Sequence, residues 1–449
     1  MANVLILMSD EHTFRVASPY GHARVETPNM ARLAAHGVVY DAAYCPSPLC
    51  APSRSSFMAG LPVHRTHVYN NCTVRQLDWP TYGAALAGTG VHSVHIGKTD
   101  VYAGWERLGF SEVLLPGDRA APGDTNFCRD PLAVRTDGPE RANGYGARAG
   151  AFVHDVKVVD AAVGWLDSAA ARSGRPWSLT VNVVAPHFPH YATPELWEKY
   201  AGDGDLPTHG PKAASANHPY ARDLRRHFQT AAFSETHIRG LRQGYLAGVD
   251  FVDRQLGRLL DALERTGQRE ETVVVYTSDH GEMLGTFGMW WKCSMYEGSV
   301  RIPLIAAGPG FAVGARVDTP VTLLDLQASI FRATGTPRPA DWWGAPLQDV
   351  RPGDGARVAF SEYHGHGTRS GSFMIRRGPW KLLYHMAAAH QLFNVVDDPD
   401  ELDDRLAAEP EIAAELEGEL RRRCSPEWEN RRAHELEREQ CELLSRLPA

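Results

Sequence analysis

Five apolar runs of strand length, none alternating with polar residues, most constrain the fold of this chain: 4–8, 91–96, 178–184, 272–277 and 303–307. A strand with one wet face alternates polar and apolar side chains. A continuous run rich in Val, Ile and Leu suits burial on both faces, as in a mostly parallel sheet. Helical patterns lie between the runs. Val156, Val159, Val163 and Leu166 recur near helical spacing within 153–171. Leu241, Tyr245, Val249, Val252, Leu256, Leu259 and Leu263 form one stripe over 236–266. Helices at 28–36 and 321–333 complete the pattern. Alternating strands and helices predict an α/β fold, a doubly wound, mostly parallel sheet flanked by helices, with its site at the carboxyl ends of the strands.

At 449 residues the chain is too long for one simple core. Its character changes near residue 351. Short runs at 358–363, 373–376, 380–384 and 391–394 predict a small antiparallel sheet. From Asp397 the chain is highly charged and reads as helix with a solvated face. The expected division is a catalytic α/β domain over 1–350 and a smaller C-terminal subdomain of antiparallel sheet plus helix over 351–449. Stretches 116–150 and 202–219 are rich in Gly and Pro without a clean period. They read as loops, either over the site or as ordinary surface insertions.

The formal net charge of −8 gives no reason to expect nucleic acid or an anionic membrane as partner. No basic leader, signal-like apolar segment or run of eighteen apolar residues is seen, so the expected compartment is the cytoplasm. Seven cysteines without paired spacing argue against a disulfide framework. Cys45, Cys72, Cys128, Cys293, Cys424 and Cys441 read as reduced and structural. The pairs Trp290-Trp291 and Trp342-Trp343 could line a pocket for a sugar or a quaternary amine, although packing is the commoner use of such pairs.

The chemistry centres on Leu49-Cys50-Ala51-Pro52-Ser53-Arg54, closing on Gly60. Alone, Cys-x-Pro suits a buried thiol in a turn before a helix. The whole segment resembles the type I sulfatase signature, C-x-P-S-R followed by a short stretch ending in Gly. That resemblance implies that Cys50 is oxidised to formylglycine, whose hydrate is the nucleophile. Residues 52–61 read as opening a helix, whose amino end favours an anion. Asp10 directly follows the first strand, and Asp279-His280-Gly281-Glu282 directly follows another. An Asp after a strand is also a common helix cap. Carboxylates with one imidazole suit Ca²⁺, Mg²⁺ or Mn²⁺. The Asp-His-Gly-Glu run resembles the second metal motif of the alkaline phosphatase superfamily. The implied metal set is Asp10, Asp279, His280 and the modified Cys50, with Ca²⁺ first and Mn²⁺ or Mg²⁺ open. Many sulfatases carry a second Asp where this chain has Glu11. Choline sulfatases and phosphonate monoester hydrolases, with one Asp there, are the closer comparison.

The resemblance assigns further roles. Arg54 would hold the modified residue. Lys98, in Gly97-Lys98-Thr99-Asp100, and Lys292 match the two active-site lysines, which would offset charge building on the sulfuryl group. His187, in Ala185-Pro186-His187-Phe188-Pro189-His190, matches the histidine that protonates the leaving oxygen. Asn71 matches an Asn on the sulfuryl oxygens, with Asn70 its competitor. His190, Asp100 and His364 are candidates for substrate contact; the last two also read as structural hydrogen bonds at strand ends. Trp291 to Gly298, then Arg301-Ile302-Pro303-Leu304, is similar to the family segment after the second metal motif. Gly97 to Asp100, Ser294-Met295-Tyr296-Glu297 and Ser361-Glu362-Tyr363-His364-Gly365 together resemble arylsulfatase K, a glucuronate 2-sulfatase. The implied activity is hydrolysis of the sulfate ester of a small organic molecule or carbohydrate. The alternatives are a phosphonate monoester or phosphodiester hydrolase with the same formylglycine, and a metal-bound binding protein should Cys50 stay a thiol. A formylglycine-generating enzyme is the implied maturation partner. A homo-oligomer is left open.

Overall fold

The computed structural model describes residues 1–72, 79–101, 104–117 and 121–446. Residues 118–120 of the expected 116–150 loop, and 447–449 at the C-terminus, lie outside them.

The five apolar runs lie in one eight-stranded sheet. Its order is Ala315–Val317, Gly37–Tyr40, Leu304–Ala307, Thr272–Ser278, Asn3–Asp10, Trp177–Pro186, His92–Lys98 and Glu112–Gly117. The two central strands explain the absence of alternation: in Asn3–Asp10 every residue after the first is buried, and in Thr272–Ser278 all are. All pairings are parallel except those of Leu304–Ala307, which runs antiparallel to both neighbours. A parallel return needs a crossover that carries the chain back to the starting edge. Here the chain leaving Thr272–Ser278 folds as turns and the four-residue helix Glu297–Val300, and then runs back.

Two groups of helices cover the sheet. Glu235–Arg265 packs with Val153–Leu166 and Pro28–Ala35, and Leu323–Thr334 packs with Cys50–Ala59. The 31-residue helix starts where Ser234 accepts the His237 amide while the His237 ring returns a bond to the Ser234 amide. The stripe read over 236–266 is buried, with Leu241, Tyr245, Val249, Leu256 and Leu263 almost wholly enclosed, whereas in Val153–Leu166 the buried face is Val158, Val159, Ala162, Trp165 and Leu166, and Val156 and Val163 of the expected stripe are half-buried.

Beyond residue 351 the chain forms a four-stranded antiparallel sheet in the order Val358–Tyr363, Ser372–Arg377, Trp380–His385 and Gln391–Asn394. The helix Pro410–Arg423 covers it with Leu416 and Leu420. The last helix, Pro426–Ser445, returns to the first part of the chain, where Glu429 accepts from Tyr69 at 3.0 Å and Gln440 from Asn70 at 2.7 Å. A buried triad also joins the two parts: Lys381 Nζ donates at 2.8 Å to both Glu297 and Glu401. No described helix is long and apolar enough to cross a membrane.

Candidate active site

Asp10 and Asp279 meet because their strands are parallel neighbours in a register that pairs Ser9 with Ser278. Ser9 and Ser278 stand at the same level, and the next residue of each is a carboxylate. The nucleophile candidate arrives from a third direction. Cys50 is the first residue of the helix Cys50–Ala59, whose amino end faces the two strand ends. Its Sγ lies 3.2 Å from His280 Nε2 and 3.9 Å from Asp10 Oδ1. His280 Nε2 is in turn 3.5 Å from Asp10 Oδ1 and 3.7 Å from Asp279 Oδ1. The donor atoms of Asp10, Cys50, Asp279 and His280 all lie within 4.8 Å of one another, and all four residues are buried.

This donor set fits a divalent cation. His280 Nδ1 faces the Gly281 carbonyl at 3.1 Å and donates to it, which leaves the Nε2 lone pair directed into the cluster. Two buried carboxylates at this distance repel unless a cation or a proton lies between them. Burial pushes the Asp279 carboxyl up, with Arg54 opposing and Asp10 reinforcing. A divalent ion would reverse that balance and hold both acids ionised. The His280 imidazole, which burial would lower, is carried up to about 9 by Asp279 and Cys50. Gly281 is required by space, since a Cβ there would sit 2.1 Å from the Gly298 carbonyl oxygen.

Arginine and lysine surround the acids. Arg54 Nε donates to Asp279 Oδ2 at 2.7 Å, and its Nη1 donates to Asn182 Oδ1 at 3.1 Å. Lys98 Nζ is bonded to Asp10 Oδ2 and stands 3.4 Å from Asp100 Oδ2. It reaches there because Gly97 turns the strand end with φ +91°, where a Cβ would strike the Asn182 carbonyl. Burial opposes ionisation of Asp10, yet Lys98, His187, Arg54 and His280 hold it well below the usual carboxylate range. Burial and Asp10 likewise oppose a Cys50 thiolate, but Lys292, Lys98 and His280 carry that thiol well below its ordinary value. Asn71 Oδ1 accepts the Ala51 amide at 3.1 Å, so it secures the first turn of the nucleophile's helix. Asn70 is instead engaged by Gln440.

A second cluster adjoins the first. Lys292 Nζ lies 2.8 Å from Glu11 Oε2 and 2.5 Å from His187 Nε2, and His187 Nε2 is 3.1 Å from Glu11 Oε2. His187 Nδ1 is 2.6 Å from the Phe188 carbonyl and donates to it, so Nε2 accepts from Lys292 in the neutral ring. Burial raises and His187 and Lys292 lower the Glu11 carboxyl, with a net fall. Glu282 is driven well up by burial and by Glu11, which marks it as the neutral partner of that acid. Non-glycine residues in the left-handed region concentrate here: Glu11 at φ +64°, Asp100 at +51°, Trp291 at +64° and Cys293 at +79°. Each costs on the order of 1–3 kcal/mol, held by the surrounding structure.

Of the remaining candidates, His190 is buried under Tyr245 and bonded to the Pro186 carbonyl, and its Nε2 has no hydrogen-bonding partner among the described residues. Burial lowers it to about 4. His364 is bonded to Glu362 Oε2 at 3.2 Å and packs edge-on against Tyr69 and Phe373. These contacts with Glu362, Tyr69 and Phe373 lie outside the cluster. Sequence reasoning missed the partnership of Glu11 with Lys292 and His187, the Asn182 bond to Arg54, and Glu282 as the partner of Glu11. Glu11 and Glu282 do flank the two metal-type motifs, which was the available signal.

Comparison with known proteins places this geometry in a family. A sulfatase family model matches residues 2–336, and one for the C-terminal region of N-sulphoglucosamine sulphohydrolase matches 285–426. A choline-sulfatase of Rhizobium meliloti is 32% identical over 433 residues, covering 89% of this chain and 81% of its own. An arylsulfatase K of Xenopus laevis is 29% identical over 455 residues, covering 94% and 82%. Among solved structures, a protein in complex with its substrate D-glucosamine-2-N,6-O-disulfate superposes with a TM-score of 0.75 at 20% identity, covering 94% of this chain and 97% of that one. A phosphonate monoester hydrolase of Silicibacter pomeroyi gives 0.73 at 23% identity, covering 94% of each.

Proposed function

We propose, from the premise that this chain belongs to the sulfatase family and is a sulfuric ester hydrolase, that it acts through a formylglycine made from Cys50 beside a divalent cation. The observation that carries the reading is the position of Cys50 Sγ, 3.2 Å from His280 Nε2 and 3.9 Å from Asp10 Oδ1 in one buried cluster. A structural thiol has no need of two acids, an imidazole and flanking lysines.

The residues divide the work as follows. Asp10, Asp279, His280 and the modified residue 50 would hold the ion, Ca²⁺ by preference for oxygen donors. When bound, such an ion lowers the pKa of an attacking hydroxyl and polarises the sulfuryl group. Arg54 fixes the nucleophile's helix to Asp279, and Asn71 fixes its first turn through the Ala51 amide. Lys98 and Lys292 set positive charge near residue 50, where negative charge grows on the sulfuryl oxygens. His187 and Lys292 together deliver a proton to the leaving oxygen: the Lys292 ammonium supplies it through its bond with His187 Nε2, and Glu11 holds that ammonium in place. Asp100, 3.4 Å from Lys98 Nζ, and His190 are assigned to substrate contact. A formylglycine-generating enzyme supplies the modification. The leaving alcohol belongs to a small organic or carbohydrate sulfate.

The test joins mass spectrometry with a substrate panel. Conversion of Cys50 exchanges its SH and one hydrogen for an aldehyde oxygen, so the peptide carrying it becomes lighter. The converted protein should release sulfate from members of a panel of sulfated sugars and small sulfate esters, and Cys50→Ala should not. Undiminished hydrolysis by Cys50→Ala sinks the reading. Turnover of an aryl phosphonate monoester well above that of the matched aryl sulfate would move the assignment to phosphorus esters.

A further inference from the structure

Next to the catalytic cluster, three aromatic rings form a box. Phe188 follows His187 in the chain and stacks on its ring at 4.5 Å. Trp291 precedes Lys292 and meets Phe188 at 5.3 Å and Phe228 at 4.8 Å. Such a box suits a cation, and an empty one would suit a quaternary ammonium. This one is filled by the chain itself. The Arg141 guanidinium lies 4.3 Å from the Phe188 centroid, 4.9 Å from Trp291 and 5.7 Å from Phe228. Arg141 comes from the short helix Gly138–Ala142 in the aperiodic stretch between residues 116 and 150.

The guanidinium is anchored at one edge only. Its Nε donates to Asp137 Oδ2 at 2.9 Å. Asp137 is shared with Arg135, which in turn is held by Asp124 at 2.9 Å. The Asp124 amide donates to the Asn71 carbonyl, so the assembly is tied to the turn beside Cys50. The terminal nitrogens of Arg141 have no hydrogen-bonding partner among the described residues, and its side chain keeps 13% exposure. Burial and the neighbouring Arg135 pull its pKa down, but a guanidinium remains charged at any working pH. A fixed planar cation with spare donors is built for a planar or tetrahedral anion. Lys292 Nζ lies 5.5 Å from the same Phe188 ring, so this cation and the candidate catalytic lysine share one aromatic neighbour.

We infer that Arg141 is a specificity residue that reads a second anionic group, a carboxylate or further sulfate, on the alcohol portion of the substrate. This rests on the sulfatase reading and narrows it: the preferred ester is a doubly anionic sugar sulfate, and a trimethylammonium ester is disfavoured because Arg141 occupies the box and repels it.

Three sulfate esters test this: a sulfated uronic acid, the sulfated hexose that differs only by a hydroxymethyl group in place of the carboxylate, and choline sulfate. The parent should favour the uronate over the neutral hexose by about tenfold or more in kcat/KM, which is the worth of one charge-assisted hydrogen bond. Arg141→Met keeps the box filled and should lower that ratio by about the same factor. Arg141→Lys keeps the charge, loses the fork and should fall between. Choline sulfate should be the poorest ester for the parent and gain relative to the others in Arg141→Met. Calorimetric binding of the uronate and hexose esters to Cys50→Ala reads the same preference without turnover. Equal ratios in parent and Arg141→Met, or equal binding of the two esters to Cys50→Ala, would overturn the inference while sulfate release still upheld the sulfatase reading. Failure of formylglycine-bearing protein to cleave any of the three, with the charge preference still seen in binding, would count against the sulfatase reading alone.

Discussion

Arg54 Nε donates to Asp279 Oδ2 at 2.7 Å, and both side chains are almost wholly buried. One bond therefore joins the helix that carries the nucleophile to the strand end that carries a metal-type acid. Placement of residue 50 and orientation of Asp279 become a single geometric fact. Arg54→Lys keeps the charge but loses the fork that also reaches Asn182. Loss of such an outer partner costs about 10–100-fold in metal affinity or activity. We expect that drop in both kcat/KM and calorimetric Ca²⁺ affinity, with far-ultraviolet circular dichroism unchanged. Parent-like Ca²⁺ affinity in the variant would show that Asp279 needs no such support.

The convergence of Asp10, Asp279 and His280 on residue 50 makes metal binding a stability term as well as a catalytic one. An ion that binds only the folded chain stabilises it by about 2.7 kcal/mol at a hundredfold excess over Kd. Chelation should lower the melting temperature and remove sulfate release, and Ca²⁺ should restore both. In Asp10→Asn the Ca²⁺-induced rise in melting temperature should shrink or vanish. A melting temperature indifferent to chelator and Ca²⁺ would show that the cluster does not take the ion.

If His187 gives its proton to the leaving oxygen, the need for it depends on how basic that oxygen is. Nitrophenolate leaves without help; an alkoxide does not. His187→Gln should therefore slow an alkyl or sugar sulfate much more than a nitrophenyl sulfate, with a steeper dependence of kcat/KM on leaving-group pKa. Equal losses across the series would make His187 a binding residue only. Lys292→Ala should hurt both classes, since that lysine also faces residue 50.

Much of this architecture could be read from the chain because burial on both faces leaves a plain mark. The runs at 4–8 and 272–277 carry no polar alternation, and they are the central strands that bring Asp10 and Asp279 together. Gly37–Tyr40 was missed because a four-residue run is short, although all four residues are buried, and Glu112–Gly117 and Ala315–Val317 were missed because they are the sheet edges, where little apolar sequence is demanded. The reversed direction of Leu304–Ala307 was illegible, since an apolar run has no polarity. At the site, motif neighbours such as Cys50 and Arg54 were legible, whereas Glu11 with Lys292 depends on a positive-φ turn that no propensity announces. Arg141 lay hidden in an aperiodic stretch, and its position follows from rings contributed by three distant segments.

Glu362 provides the last prediction, away from the catalytic cluster. Its Oε1 accepts the His64 amide and the His64 ring, each at 2.8 Å, and its Oε2 faces His364 at 3.2 Å. It thus joins the turn after the nucleophile's helix to the C-terminal sheet. Burial would raise this carboxyl, but His64 and His364 bring it from 4.5 down to about 2. A depressed carboxyl adds stability that is present above its unfolded pKa and is lost as pH falls through its folded one. That contribution should disappear between about pH 4.5 and pH 2. His64 is raised by the same acid despite its burial, so its share is full below its unfolded pKa of 6.5 and fades at higher pH. The pair is therefore strongest between those two limits. Glu362→Gln should cost about 1–3 kcal/mol there, the worth of a lost bond to a charged group. Urea midpoints measured across this range should show the parent and variant curves converging below pH 4.5. Parallel curves would mean that the Glu362 charge contributes nothing to the fold.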